Sequence, residues 1–228
     1  MIATIKAEQL EAMGVLPDTT QSLRTEVTVG VSGRHLHVCQ EHVEILFGKG
    51  HSLTPIRGLS QPGQFACEEQ VNLRSAKGEI QNVRVLGPVR PETQVELSLT
   101  DTFRLKLDVS VPVRMSGKTE GSPGLTLVGP AGEVELERGV IIAQRHIHMT
   151  PEDAAAFGLT DKQMVAVACG DARQVVFGNV VVRVSNEYSL DFHIDTDEAN
   201  AAGVKTGDKG YLVRPTLSYQ LPITNLLG

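Results

Sequence analysis

Two copies of one short motif hold most of the histidines, Arg34-His35-Leu36-His37 and Arg145-His146-Ile147-His148. In an extended segment side chains alternate with period two, so both rings of a His-x-His triplet fall on one face. That spacing suits a shared metal ion. One such pair often has no ion between its rings; a second copy in matching context changes the balance. RHLHVCQEHVEILF (34–47) and RHIHMTPEDAAAFG (145–158) agree at Arg, His, His and Glu, with an apolar residue between the histidines, which marks an internal duplication. Each copy is followed by β segments and then by a strand expected to end in Thr-Asp, VELSLTD at 95–101 and DFHIDTD at 191–197. Allowing a one-residue bulge, Glu96 occupies in the first half the place of His193 in the second.

Five of the 7 histidines belong to this pattern, with one carboxylate. Such a set could hold two divalent ions, each with about three protein ligands and an open position for substrate, as catalytic zinc sites have. Imidazole-rich ligation favours Zn²⁺, although Co²⁺, Ni²⁺ and Fe²⁺ accept the same donors. The alternative is that duplication left six hydrogen-bonded structural groups. How ligands divide between two ions stays open at this level. Cys39 either continues the face of His37 as a soft ligand or begins the next helix, and the helix is the better reading. His42 and His51 are expected to be solvated.

An anionic substrate would call on Arg90, Arg183, Arg34 or Arg145, because a planar guanidinium matches phosphate. Arg90 and Arg183 lie on or beside site-forming strands and rank above the other two. RMSGKTEGSPG (114–124) contains Gly117-Lys118-Thr119, but a phosphate loop would need glycine where Pro112 stands, so a Walker-type nucleotide site is rejected. The segment reads as a flexible lip offering Ser116 and backbone amides, or as a plain connector.

The positioning elements are short. From Glu26 onward, runs such as EVTVGV, VNLRS, IQNVRVL, QVELSL, LKLDVSV, LTLVG, MVAVAC, QVVFGNVVVRV, SLDFHI and YLV alternate with Gly, Pro and Asp turns, which predicts a mainly β protein. Two or three short helices follow the first twenty residues. Thr150-Pro151-Glu152-Asp153 supplies a cap, a proline at the first helical position and acid in the first turn, and Gly158 stops the segment. Gln40 to Phe47 and Asp197 to Ala202 are its counterparts. Residues 2–16 predict an amphipathic helix and 17–22 a linker.

At 228 residues the chain can bury a core without disulfides or a structural metal. Acidic residues (27) exceed basic ones (21), the net charge is -6, and there is no Trp, with 3 Tyr and 6 Phe; a nucleic-acid partner is disfavoured. Lys6, Glu8, Glu11 and Asp18 interrupt any apolar run, so neither a secretory signal nor a membrane span is expected. The 3 cysteines form no CxxC pair and are expected reduced in an intracellular setting.

With GVSGRHLHV, LSQPGQFACEEQV, VRVLGPVRPETQVELSLTD, RMSG with GSPG, AQRHIHM, VRVS and HIDTDEANAAG, the sequence strongly resembles the PduL-type phosphotransacylases, or phosphate propanoyltransferases, of bacterial microcompartments. The likeness runs from about residue 27 to residue 213, and Cys39 departs from it where relatives commonly carry Ser. It implies two small β-barrel domains related by the repeat and capped by short helices. Residues 21–33 would join 144–214 in one discontinuous barrel, 34–143 would form the other, and 1–20 and 215–228 would be extensions. It implies a homodimer and two Zn²⁺ per chain at the domain boundary, with His35, His37, Glu96, His146, His148 and His193 as ligands. Arg90 matches the phosphate-binding arginine; Ser32, Ser116, Arg183 and Asn200 match pocket positions. The implied reaction is reversible, acyl-CoA plus phosphate giving acyl phosphate plus CoA; no Ser-His-Asp set is apparent in the sequence, which favours a ternary complex over a covalent acyl-enzyme. Residues 1–16 resemble an encapsulation peptide that docks on a shell or core protein, which places the enzyme in a microcompartment lumen or in the cytoplasm. Two other readings share the same ligands: a binuclear metallohydrolase, and a non-catalytic zinc-stabilised assembly protein.

Overall fold

The computed structural model describes residues 25–213. The expected N-terminal helix, the linker and the C-terminal extension lie outside the described residues. The first half runs β1 (Glu26–Ser32), β2 (His35–His37), α1 (Gln40–Phe47), β3 (Pro55–Gly58), β4 (Phe65–Arg74), β5 (Glu79–Gly87), β6 (Gln94–Leu97) and α2 (Leu99–Leu105). Three short strands follow, β7 (Val113–Arg114), β8 (Thr126–Val128) and β9 (Glu133–Glu135), then β10 (Val140–Ala143). The second half is β11 (His146–Met149), α3 (Pro151–Phe157), β12 (Met164–Cys169), β13 (Val175–Val184), β14 (Asp191–Asp195), α4 (Thr196–Ala202) and β15 (Lys209–Val213).

The strands make two curled sheets. One is a closed barrel in the order β1-β14-β11-β13-β12-β15; the other is an open sheet, β7-β10-β6-β2-β5-β4-β8-β9, with β3 paired to β4. The protein is mainly β, as its sequence predicts, but only one of the two units closes. The duplication is visible in the pairing: β2 lies between parallel β5 and antiparallel β6, and β11 lies between parallel β13 and antiparallel β14. The strand just before each histidine pair joins the sheet that does not hold that pair. β1 enters the barrel beside β14, and β10 enters the open sheet beside β6, both parallel. The chain therefore crosses between sheets at residues 33–34 and again at 144–145, and each crossing opens directly onto a histidine pair.

Each sheet has its own core. Leu36 packs in one and Ile147 in the other, and both are fully buried. Burying a side chain of this size contributes roughly 1.5–3 kcal/mol. With the central residue of each triplet anchored inward, period two sends both flanking histidines to the opposite face. Val95 and Leu97 do the same for Glu96, and Phe192 and Ile194 for His193.

The helices correct the sequence reading. α1 and α3 match it, and α3 has the Thr150 capping box and the left-handed Gly158 stop. α2 was not anticipated. VELSLTD does not run on as a strand; β6 ends at Leu97, Ser98 caps the helix, and its hydroxyl accepts from Asp101 N. In the second half Asp195 is the cap and Glu198 its reciprocal partner. Ser98 thus matches Asp195 and Asp101 matches Glu198, so no bulge is needed to align Glu96 with His193. LKLDVSV is not a strand either: Leu105 closes α2 and Lys106 turns the chain at φ 49°.

Candidate active site

His35, His37 and Glu96 come together at the junction of the sheets, their ligating atoms within 4.8 Å of one another. The strand register sets His35 opposite Glu96, with His35 Nε2 3.5 Å from Glu96 Oε2. His35 Nδ1–H donates to Gly33 O at 2.8 Å and His37 Nδ1–H to Leu86 O at 3.1 Å. A carbonyl only accepts, so both rings keep Nε2 free of a proton and available as a donor to a cation. Glu96 is buried. Ser116 Oγ donates to Glu96 Oε1 at 2.8 Å and accepts from Arg90 Nη1 at 3.0 Å, and Gly117 N donates to Gln94 Oε1 at 2.7 Å. The 114–124 segment therefore enters the site at Ser116 instead of standing off as a connector.

The second group repeats the plan with three imidazoles. His146, His148 and His193 place ligating nitrogens within the same 4.8 Å. His146 pairs in register with His193, and its Nδ1–H donates to Gln144 O at 2.7 Å, as His35 does to Gly33 two residues back. His148 stacks on Tyr188 with ring centres 4.2 Å apart. Both of its nitrogens are buried without a hydrogen-bond partner.

Both groups line one cleft of about 1150 Å³, together with Ser32, Arg90, Ser116 and Arg183. Asn200 does not line it. That residue is exposed and lines a smaller cavity of about 510 Å³ that shares Val31, Gly33 and Thr206 with the main cleft. Arg183 Nη2 donates to Tyr188 Oη at 2.9 Å while its buried Nε has no partner. Arg34 and Arg145 are otherwise engaged: each pairs with the reciprocal capping acid of the helix that follows β6 or β14, the third strand of its ligand group, Asp101 at 2.7 Å and Glu198 at 2.6 Å. Cys39 is the residue before α1 and belongs to neither ligand group. His42 and His51 are not simply solvated: His42 Nδ1 contacts Thr93 Oγ1 at 2.7 Å, and His51 Nε2 contacts buried Glu69 at 2.8 Å. Sequence reasoning missed Gln94, Tyr188, Asp191 and the loop residues Ser60 and Gln61. Gln94 and Asp191 carried a usable signal, since each sits two residues before a third-strand group and so on its face.

A family model described as phosphate propanoyltransferase matches residues 28–205. A phosphate propanoyltransferase of Thermotoga maritima is 54% identical over 197 residues, covering 85% of this chain and 92% of its own. Those of Enterococcus faecalis and Rhodobacter capsulatus are each 47% identical, over 85% and 90% of this chain and 91% and 93% of theirs. This chain belongs to the phosphate propanoyltransferase family. It is an acyltransferase.

The electrostatics of the cleft favour cation binding. Burial first, then neighbouring His35 and Arg90, pushes His37 down to about 3. Burial and His193 bring His146 down to about 3, and burial with His146 and His193 brings His148 to about 2. Burial alone would raise Glu96, but His35, His37, Ser116 and Arg90 together pull it down to about 2. His37, His146 and His148 are thus neutral and the carboxylate charged at neutral pH, the protonation states that metal ligands need. Orphaned His148 is the sharper test. A buried imidazole with both nitrogens unsatisfied is costly, and a cation at one of them removes that cost. The residues fit a metal at each group. Burial also lowers Arg90, an effect that Arg183 adds to and Glu96 opposes.

Proposed function

We propose that this enzyme catalyses reversible transfer of a short acyl group, propanoyl or acetyl, between coenzyme A and inorganic phosphate, at a two-zinc site built from His35, His37 and Glu96 on one side and His146, His148 and His193 on the other. The observation that carries this reading is one cleft lined by two compact ligand groups and two arginines, in a chain of the phosphate propanoyltransferase family. When bound, the metals supply Lewis acidity, polarising the thioester carbonyl and lowering the pKa of the departing thiol.

The chain's own residues do the rest. Arg90, braced by Ser116, binds phosphate and orients one of its oxygens toward the acyl carbon. Arg183 lies near enough to Arg90 to lower its pKa, and its free Nε gives the anion a second guanidinium. The new bond joins phosphate oxygen to acyl carbon, the C–S bond breaks, and CoA leaves as thiolate. Direct attack within a ternary complex needs no nucleophilic side chain. Ser32 beside the cleft and Asn200 in the adjoining cavity contact the CoA portion.

Residues 21–33 with 144–214 form one domain and 34–143 the other. The enzyme works as a homodimer, which the apolar surface of α2, with Leu99 53% and Phe103 71% exposed, supports as ground a second copy would cover. Residues 1–16 dock it to a microcompartment shell or core protein. No helix among the described residues is long and apolar enough to cross a membrane.

The deciding experiment incubates propanoyl-CoA or acetyl-CoA with the enzyme, with and without phosphate, and follows CoA release and acyl phosphate. Release that depends on phosphate, with matching acyl phosphate, and that stops on chelation is the expected result. Release without phosphate would make the protein a hydrolase. No release under either condition would leave the assembly reading.

A further inference from the structure

Two residues before each third-strand ligand stands a side chain that bonds to it. Gln94 Nε2 donates to Glu96 Oε1 at 2.6 Å, and Asp191 Oδ2 accepts from His193 Nε2 at 2.8 Å. The registers correspond, Gln94 lying opposite His37 and Asp191 opposite His148. Their chemistry is reversed to suit what they hold: an amide donor stands behind a carboxylate, and a carboxylate stands behind an imidazole. Asp191 is 5% exposed, and His193 is its only hydrogen-bond or ion-pair partner among the described residues. A buried carboxylate with a single hydrogen-bond partner is unfavourable unless a positive charge lies close by.

The backbone of the neighbouring strand makes room for this pair. Gly30 on β1 is in register with His193, and a Cβ there would come within 2.8 Å of His193 Cδ2 and 2.9 Å of Asp191 Oδ2. In the other half the corresponding place, opposite Glu96 on β10, holds Ile141. The opening is thus particular to the half that has Asp191. It also fixes the ring. The Cδ2–Nε2 edge of His193 lies over β1, whereas His146 and His148 come from β11 on the opposite side of β14. With Nε2 committed to Asp191, Nδ1 is the nitrogen left to meet a cation.

We propose that Asp191, in the space Gly30 leaves, is the positioning residue of the three-histidine centre: it holds His193 with Nδ1 toward the metal and gives that centre the negative charge Glu96 gives the other. This rests on the two-metal reading above. Outer carboxylates that orient a ligating histidine typically change metal affinity 10–100-fold.

The test uses the full-length protein loaded with zinc, with metal per chain measured by elemental analysis and zinc loss followed against a chromophoric chelator. Asp191→Ala is expected to weaken one of the two zincs by roughly 10–100-fold and leave the other unchanged. Asp191→Asn, which keeps an oxygen acceptor but no charge, should fall between. Gly30→Ala, whose new methyl group crowds both His193 and the Asp191 carboxylate while leaving the carboxylate's charge in place, should weaken the same zinc, and with Asp191→Asn it decides the matter if Asp191→Ala does not fold. Two zincs held with the wild-type competition curve in the folded variants would overturn the proposal while leaving the two-metal reading intact. A wild-type protein that takes up no zinc would overturn both. Asn equal to wild type with Ala impaired would overturn the charge contribution and keep the orienting one.

Discussion

Histidines 37, 146 and 148 all sit well below the ordinary imidazole range, for reasons that begin with burial and continue with a neighbouring ring in each case. The consequence for the metal-free protein has a definite sign. Below about pH 6.5 the unfolded chain takes up protons that these rings refuse until about pH 3, so the unfolded state binds more protons and folding weakens as pH falls. Glu96 acts in the same direction: its folded value of about 2 lies below the ordinary glutamate value of 4.5, and the stability it contributes is lost as pH drops between them. We therefore expect the urea midpoint of the metal-free enzyme to decline steadily from pH 7 to pH 4, and the slope to flatten in a His146→Gln, His148→Gln double variant. A midpoint independent of pH would show the rings to be protonated in the fold. Arg90 carries a separate expectation. Replacing it by Ala removes a charge-assisted contact of about 1.5–3 kcal/mol, so KM for phosphate should rise on the order of 10–100-fold, with a much smaller change for acyl-CoA. Equal damage to both substrates in initial-rate kinetics would assign Arg90 to general architecture instead.

Short helices follow both third strands, and their caps tie the ligands to the rest of the fold. Ser98 and Asp195 each stand two residues after a ligand, and their reciprocal acids, Asp101 and Glu198, also bind Arg34 and Arg145, the residues that open the two histidine triplets. One acid therefore fixes the start of a helix and the start of a ligand strand together. Ser98→Ala should cost about 1 kcal/mol, as loss of a cap does. Asp101→Ala should cost more, about 2–4 kcal/mol, because buried cap and ion partner go at once. Denaturant titration separates them, and equal costs would mean that Arg34 adds nothing. The same elements explain what could be read from sequence. The ligands were legible because His-x-His, Glu96 and His193 obey a local period and a repeat, and α3 because Thr150, Pro151 and Gly158 punctuate it. α2 was not, since Ser98-Leu99-Thr100-Asp101 follows an alternating strand without proline or glycine to mark the change, and its seven residues show little periodicity. Arg34 and Arg145 rank below Arg90 and Arg183 from sequence, but what they do instead is not legible there, because their partners lie 67 and 53 residues away.

Across the whole molecule, the two sheets share a cleft whose width depends on few direct ties. The exchange of β1 and β10 joins them covalently, an arrangement no local pattern announces, because both strands look alike wherever they pair. Further contacts among the described residues cross between the halves. Thr100 N at the start of α2 donates to Asp197 Oδ2 at 2.8 Å, and Gln61 in the loop after β3 pairs with a single residue of the other half. Its Nε2 donates to Ser189 O at 2.9 Å and its Oε1 accepts from Ser189 N at 3.2 Å, so the side chain imitates a neighbouring strand. Gln61 is 3% exposed, and beside it Ser60 Oγ lies 3.4 Å from His193 Nε2. Truncating Gln61 leaves a backbone N–H and C=O without partners, at a cost of about 1–3 kcal/mol. Because the loop also borders the cleft, the loss should be local before it is global. Gln61→Ala is expected to speed amide hydrogen exchange in the 59–64 loop and at Ser189 while β4 and β13 keep their protection, and to raise KM for acyl-CoA more than it lowers kcat. Gln61→Glu keeps the acceptor but sets a carboxylate against Ser189 O, so it should not restore the wild-type exchange. If exchange in the loop is unchanged in both variants, the sheets are held in register by the strand exchange alone and the clamp is incidental.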